Sequence, residues 1–208
     1  MSGALEALAA TARDHALPWR DEWLPVLHQL STLLLLGQAR TNLVGDASPA
    51  GLADHVLQAL CVARLAADAG VEPAAVVDVG AGAGLAAMTL ARVGPAAQVV
   101  AVEPRRLRAE FIAETAQTLG LARLSSQKRS LHSAELPRID LAVARAVWPA
   151  AEWLPKAWPL LAPRGLAAVH GHGPASELTL VLGGLGEVVG ALDVPGPRGH
   201  AVAVLRPR

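Results

Sequence analysis

Residues 74–85 read Ala-Ala-Val-Val-Asp-Val-Gly-Ala-Gly-Ala-Gly-Leu, and the fold is read outward from them. Val76, Val77 and Val79 form a short β-branched apolar run, as expected for a strand buried on both faces of a parallel sheet. Gly80, Gly82 and Gly84 follow at alternate positions, and the Ala-, Leu- and Met-rich stretch 85–92 has no internal Gly or Pro. The order is strand, glycine turn, helix start. Such glycines allow positive φ and close approach of a ligand, and the N–H groups at a helix start favour a polar or anionic group.

A dinucleotide fingerprint requires G-x-G-x-x-G, but Leu85 stands where the third glycine belongs. The pattern is G-x-G-x-G, preceded by Asp78. Twenty-three residues past Gly80 the next apolar run, 98–102, leads into Glu103, whose carboxylate offers paired acceptors to two ribose hydroxyls. This arrangement resembles the first two motifs of the S-adenosylmethionine-dependent methyltransferases. The alternative is a glycine-rich turn in another doubly wound fold.

At 208 residues the chain fits one domain with a helical appendage. Apolar residues make up 52% with one Phe and no Tyr, so the core is expected to be Leu, Val and Ala. The formal net charge is zero, which leaves no overall field toward a polyanion and requires a local basic patch for any nucleic acid. Of 18 Lys and Arg, only Lys128 and Lys156 are lysine. Cys61 is alone, which excludes a disulfide framework and a multi-cysteine metal site. With no basic, then apolar, N-terminal segment and the longest leucine run only 33–36, a soluble cytoplasmic protein without membrane association is expected.

Periodicity places helices over 3–17, 22–40 and 49–69, the last carrying His55, with a loop at 41–45 between the second and third. Trp19 and Trp23 read as packing residues. Beyond the glycine loop, strands and helices alternate: strand 98–102, helix 105–119 ended by Gly120, a short strand within 121–129, strand 139–143, helix 153–161 broken by Pro155 and Pro159, and strand 165–170. Two final strands, 187–194 and 200–205, are joined through Pro195-Gly-Pro-Arg-Gly199. The expected fold class is α/β, a mostly parallel Rossmann-like sheet with a C-terminal antiparallel hairpin and an N-terminal helical extension. Residues 1–70 form the extension and 71–208 the core.

After the 139–143 strand comes Ala144-Arg145-Ala146-Val147, without the Asp/Asn-Pro-Pro-aromatic run of exocyclic amine methylation. Cys61 lies in an apolar helical stretch and reads as a buried structural thiol, not the nucleophile of cytosine C5 chemistry. The acceptor is then expected to be a ready nucleophile, such as a ring nitrogen that needs only alignment.

The order of these features resembles the 16S ribosomal RNA guanine-N7 methyltransferases, the RsmG or GidB family. The resemblance runs from about Leu30 to Gly173 and is most specific at 78–85 and at Arg145-Ala146, which match the family's glycine loop and Ser-Arg-Ala signature. It implies a class I methyltransferase using S-adenosylmethionine, with Asp78, Gly80, Gly82, Gly84 and Leu85 at the cofactor. Glu103 would hold the ribose, the main chain at Ser130 and Leu131 would border the adenine, and Arg145 would sit catalytically beside cofactor and base. Asn42, Leu43 and His55 match the family's Asn-Leu-Thr and His-x-x-Asp-Ser-Leu elements, and Asn42 and His55, with Arg105, Arg106 and Arg108, would bind substrate.

The implied partner is 16S ribosomal RNA or the small ribosomal subunit, met by a monomer without metal. Departures fall at Gln58-Ala59 for Asp-Ser, Ala86-Ala87 for Pro-Gly, Leu107-Arg108 for Lys-Arg, Leu131-His132 for an acidic pair and His170-Gly171 for Lys-Gly. A small-molecule or protein methyltransferase and a non-catalytic RNA- or partner-binding homologue remain alternatives. Arg105, Arg106 and Arg108 with Lys128, Arg129 and Arg138 are either a phosphate-binding rim or solvated helix faces. His170-Gly-His172 has the look of a metal pair, but no third ligand lies nearby in sequence.

Overall fold

A computed structural model describes residues 3–93 and 98–208; Met1 and Ser2 of the expected extension lie outside it. Among the described residues seven strands form one sheet in the order β3-β2-β1-β4-β5-β7-β6. They are β1 (Ala75–Val79), β2 (Gln98–Val102), β3 (Leu124–Gln127), β4 (Ile139–Ala144), β5 (Leu161–His172), β6 (Glu187–Asp193) and β7 (His200–Arg206). The first five run parallel, and β7 pairs antiparallel with both β5 and β6. The chain order reverses between β1 and β4, and an open α/β sheet binds its ligand at the carboxyl ends of the strands flanking such a point.

Among the described residues seven helices cover the sheet: α1 (Gly3–Asp14), α2 (Trp23–Gln38), α3 (Pro49–Asp68), α4 (Leu85–Val93), α5 (Arg106–Thr118), α6 (Ala150–Ala157) and α7 (Ala175–Leu182). Strand residues alternate between two apolar clusters, as the two-residue period requires. Val76, Val99, Leu141 and Leu166 join the cluster built with α1 to α5, whereas Val77, Val102, Ala142 and Ala167 join the one beneath α6 and α7. The N-terminal helices bury Leu5, Leu34, Leu52 and Leu60 in that larger cluster, so their core is continuous with the sheet's. Helix α3 is long and apolar enough to cross a membrane by length and composition, and 67% of its most apolar window is buried inside the protein. Ser48 caps it, accepting from the Gly51 N–H at 3.1 Å.

The strands stand close to where periodicity predicts them, and the corrections have local causes. The helix expected over 153–161 begins at Ala150 and runs through Pro155 to Ala157, followed by a 3-10 turn over 158–160. Trp153 holds it: the indole is buried and its Nε1–H donates to the Ala168 carbonyl at 3.0 Å. Strand β5 extends the expected 165–170 in both directions, past a register irregularity opposite β4. Helix α7 lacks an apolar period, burying only Leu182 and leaving Leu180 and Val181 exposed, so periodicity does not announce it.

Candidate functional site

At the carboxyl ends of β1, β2, β4 and β5 lies a cavity of about 780 Å³, within the range of small-molecule sites. Its floor is the glycine turn. Gly80, Gly82 and Gly84 have φ of +69°, +60° and +73°, a left-handed region that side chains other than glycine enter at a cost. The three glycines serve different ends. A Cβ on Gly80 would meet Val147 Cγ2 at 2.4 Å and one on Gly84 would meet Ile112 at 2.8 Å, whereas on Gly82 the nearest atom would be the Leu43 carbonyl oxygen at 3.8 Å. Gly84 therefore seats α5, and it does not line the cavity. Gly82 keeps open a space that a side chain would fill.

The N–H groups of this turn are largely taken by the chain itself. Gly80 and Ala81 donate to the Val102 carbonyl at 2.8 and 3.2 Å, Gly82 donates to Glu103 Oε2 at 2.9 Å and Ala87 donates to Asp78 Oδ2 at 3.1 Å. The turn thus offers a shaped backbone wall more than an anion nest, which suits a nucleoside better than a pyrophosphate. Burial, reinforced by the Glu103 charge, pushes the Asp78 carboxyl up to about 7 against the Ala87 N–H bond. Glu103 is 3% exposed, and its other oxygen accepts from the Arg105 N–H at 2.9 Å. One N–H per oxygen leaves acceptor capacity on both, facing the cavity that Glu103 lines. The residues present therefore fit a ligand that carries two adjacent sugar hydroxyls.

Ser130 and Leu131, at a 3-10 turn after β3, and Leu85 line the same cavity. Opposite stands Arg145, at the tip of β4. Ala146 after it has φ +56°, an uncommon conformation for alanine that reverses the chain toward Val147 and Trp148 on the cavity wall. Trp148 stacks on Trp153, the rings 3° from parallel. The Arg145 guanidinium packs on His55 from α3, contacting both ring nitrogens, with Nη2 3.5 Å from Nε2. Burial lowers the Arg145 pKa to about 10, offset in part by the Asp54 carboxylate, so the group remains cationic at neutral pH. The two residues, ninety positions apart, meet across the cavity.

Other expected residues stand elsewhere. Asn42 does not line the cavity: its carbonyl accepts from Arg108 and its side chain faces Gln38 at 3.4 Å. The neighbouring loop does the lining, through Leu43, Val44 and Gly45. Gln38 shapes it, accepting from the Leu43 N–H at 2.8 Å and donating to the Val44 carbonyl at 3.0 Å. Arg106 pairs with Glu110 one turn on at 2.9 Å and stays out of the cavity. Of the six basic residues considered for a rim, Arg105 and Arg108 line the cavity. Arg129 pairs with Glu135 at 2.6 Å, and Arg138 precedes β4, at the opposite end of the sheet, donating to the Leu161 carbonyl at 3.1 Å.

A second wing of the cavity is lined by Asp54, Gln58, His170, His172, Arg198 and His200, which periodicity gave no reason to gather. His172 lies edge-to-face on His200, centroids 4.8 Å apart, and His200 Nδ1 is 2.8 Å from Gln58 Nε2 and 3.4 Å from Asp54 Oδ1. Among the described residues no group of three His, Cys, Asp or Glu has the arrangement of a metal site. Cys61 is fully buried, away from this cavity, and burial pushes its thiol up to about 12.

Comparison with known proteins gives the geometry a context. The family model described as GidB, rRNA small subunit methyltransferase G, matches residues 24–180. The chain is 29% identical over 186 residues to ribosomal RNA small subunit methyltransferase G of Halorhodospira halophila, covering 87% of each chain. It is 31% identical over 184 residues to the protein of that name from an Anaeromyxobacter species, covering 86% of this chain and 83% of the relative. Among solved structures, a ribosomal protein L11 methylase from Lactobacillus delbrueckii superposes with a TM-score of 0.55 at 22% identity, over 73% of this chain and 79% of that one. An S-adenosylmethionine-dependent methyltransferase from Aquifex aeolicus gives 0.53 at 19% identity, over 69% and 88%. At these identities the structures speak for the fold alone.

Proposed function

The chain belongs to the GidB family of rRNA small subunit methyltransferases, and from that premise we propose that it methylates N7 of a guanine in 16S ribosomal RNA. It is an S-adenosylmethionine-dependent enzyme, and the cofactor, when bound, supplies an electrophilic methyl group on a sulfonium. The convergence of the Gly82 opening, the Glu103 carboxylate and Arg145 on one cavity at the sheet's switch point carries the reading. In it Gly80, Gly82 and Leu85 form the wall against the cofactor, Glu103 accepts from its two sugar hydroxyls, and the main chain at Ser130 and Leu131 borders its base.

Guanine N7 carries a lone pair and no proton, so methyl transfer forms a carbon–nitrogen bond and breaks a carbon–sulfur bond without needing a general base. The enzyme's contribution is alignment in a dry, shaped site. Arg145, steadied by His55, orients the acceptor through its planar fork, and Arg105 and Arg108 at the mouth take RNA phosphates. The assignment also reads residues 1–70 as a helical extension on a 71–208 core, and the enzyme as a cytoplasmic monomer acting without metal where its ribosomal substrate is found.

The test is incubation of the purified chain with tritiated S-adenosylmethionine and small ribosomal subunits from cells lacking this modification. Label in 16S RNA, recovered as 7-methylguanosine by mass spectrometry of the nucleosides, is expected; label in ribosomal protein alone, or none, refutes the reading.

A further inference from the structure

His170 stands at the carboxyl end of β5, between Arg145 on one side and His200 of β7 on the other, and it lines the second wing of the cavity. Both its ring nitrogens are buried and neither has a hydrogen-bond partner. Buried polar atoms left unpaired are uncommon and costly, and at a cavity wall they mark places where a ligand completes the bonding. The residue itself is only partly buried, so its exposed area belongs to its other atoms. A half-turn of the ring about Cβ–Cγ exchanges nitrogen and carbon positions, and the role proposed next takes the orientation that turns a nitrogen to the cavity.

We infer that His170 is a specificity-determining residue of the acceptor subsite, its imidazole accepting a hydrogen bond from an N–H on the edge of the guanine being methylated; this rests on the function proposed above. Burial, the Arg145 charge and His200 hold the ring's pKa down to about 3, so a ring lone pair is free at neutral pH. Guanine carries donors on its pairing edge and adenine has a bare ring nitrogen at the corresponding place, so an acceptor here selects guanine. As N7 gains its methyl group the purine becomes cationic and its N–H more acidic. The hydrogen bond therefore strengthens toward the transition state, the kind of contact that raises turnover rather than mere affinity. Most RNA affinity comes from phosphate contacts and is untouched.

Two substitutions separate this role from a structural one. His170→Leu removes both nitrogens at similar volume; His170→Asn keeps a donor and an acceptor. Because the wild-type ring nitrogens are unpaired, Leu is expected to leave Tm unchanged or raised and to leave S-adenosylmethionine binding by calorimetry intact. Its kcat on small subunits is expected to fall about 5- to 150-fold, the worth of one hydrogen bond at a buried site, with KM for the subunit nearly constant and with partial recovery in Asn. Leu activity within twofold of wild type, a drop in Tm with Leu, or no recovery in Asn overturns the assignment. A wild-type chain that labels no ribosomal RNA strikes down the proposed function first, and this inference with it.

Discussion

Replacing Glu103 probes the cofactor wall where the structure gives the most to work with. Its two oxygens each accept one backbone N–H, from Gly82 and from Arg105, both at 2.9 Å, and the side chain is buried. In Glu103→Ala both N–H groups lose a partner and the sugar hydroxyls lose an ionised acceptor. Hydrogen bonds to charged groups contribute about 1.5–3 kcal/mol each; allowing for water reaching a vacated crevice, two sugar contacts come to about 3 kcal/mol, or roughly 100-fold in Kd. Glu103→Gln is no rescue, because its amide NH₂ must face either Gly82 N–H or Arg105 N–H, donor against donor, and a loss of at least about tenfold is expected. Calorimetric titration with S-adenosylmethionine and its demethylated product reads both variants, with Tm as the check on folding. Glu103→Ala binding within threefold of wild type refutes the assignment of this carboxylate to the cofactor.

Gly80→Ala and Gly82→Ala both force alanine into positive φ, at about 1–2 kcal/mol. Only at Gly80 does the methyl strike Val147, so Tm falls further for Gly80→Ala, while Gly82→Ala stays folded and loses cofactor affinity through the methyl in the opening. The raised Asp78 carboxyl holds in the folded state a proton that the unfolded chain releases near pH 4. Its stabilisation is full below about pH 4 and lost as pH rises through about 7, a swing on the order of 4 kcal/mol. Denaturation of Asp78→Asn across that range is expected to lack this slope. With its thiol fully buried and raised to about 12, Cys61 is expected to resist a thiol reagent until the protein is denatured, and Cys61→Ala to keep its methyl-transfer activity.

The parallel core was legible because buried strands write themselves as short β-branched runs: Val76-Val77 and Val99-Val100 each begin a strand within a residue of where the run does. That Glu103 would stand at the cavity was legible from its distance to the glycine turn, and that Arg145 would do so from its place just past β4. The second wing was not, because Asp54, His170 and His200 come from α3, β5 and β7 and share no spacing. The β5–β7 antiparallel register sets His172 opposite His200, and the packing of α3 brings Asp54 to His200. Arg106 shows the converse. It sits in a basic run, yet Glu110 at i+4 claims it, a pairing the sequence displays but a reading for phosphate sites passes over. Helix boundaries failed where one buried side chain outweighed a local breaker, as Trp153 does beside Pro155.

N7-methylated guanine is cationic, and reduction of its ring followed by aniline breaks the RNA strand at that nucleotide alone. Small-subunit RNA from cells lacking the modification, treated with the purified chain and S-adenosylmethionine below its Kd for Glu103→Ala and then subjected to this cleavage, is predicted to give one new fragment end at a single guanine, much weaker with Glu103→Ala at the same cofactor concentration. Intact RNA despite measured cofactor binding, or cleavage scattered over many guanines, would contradict the account.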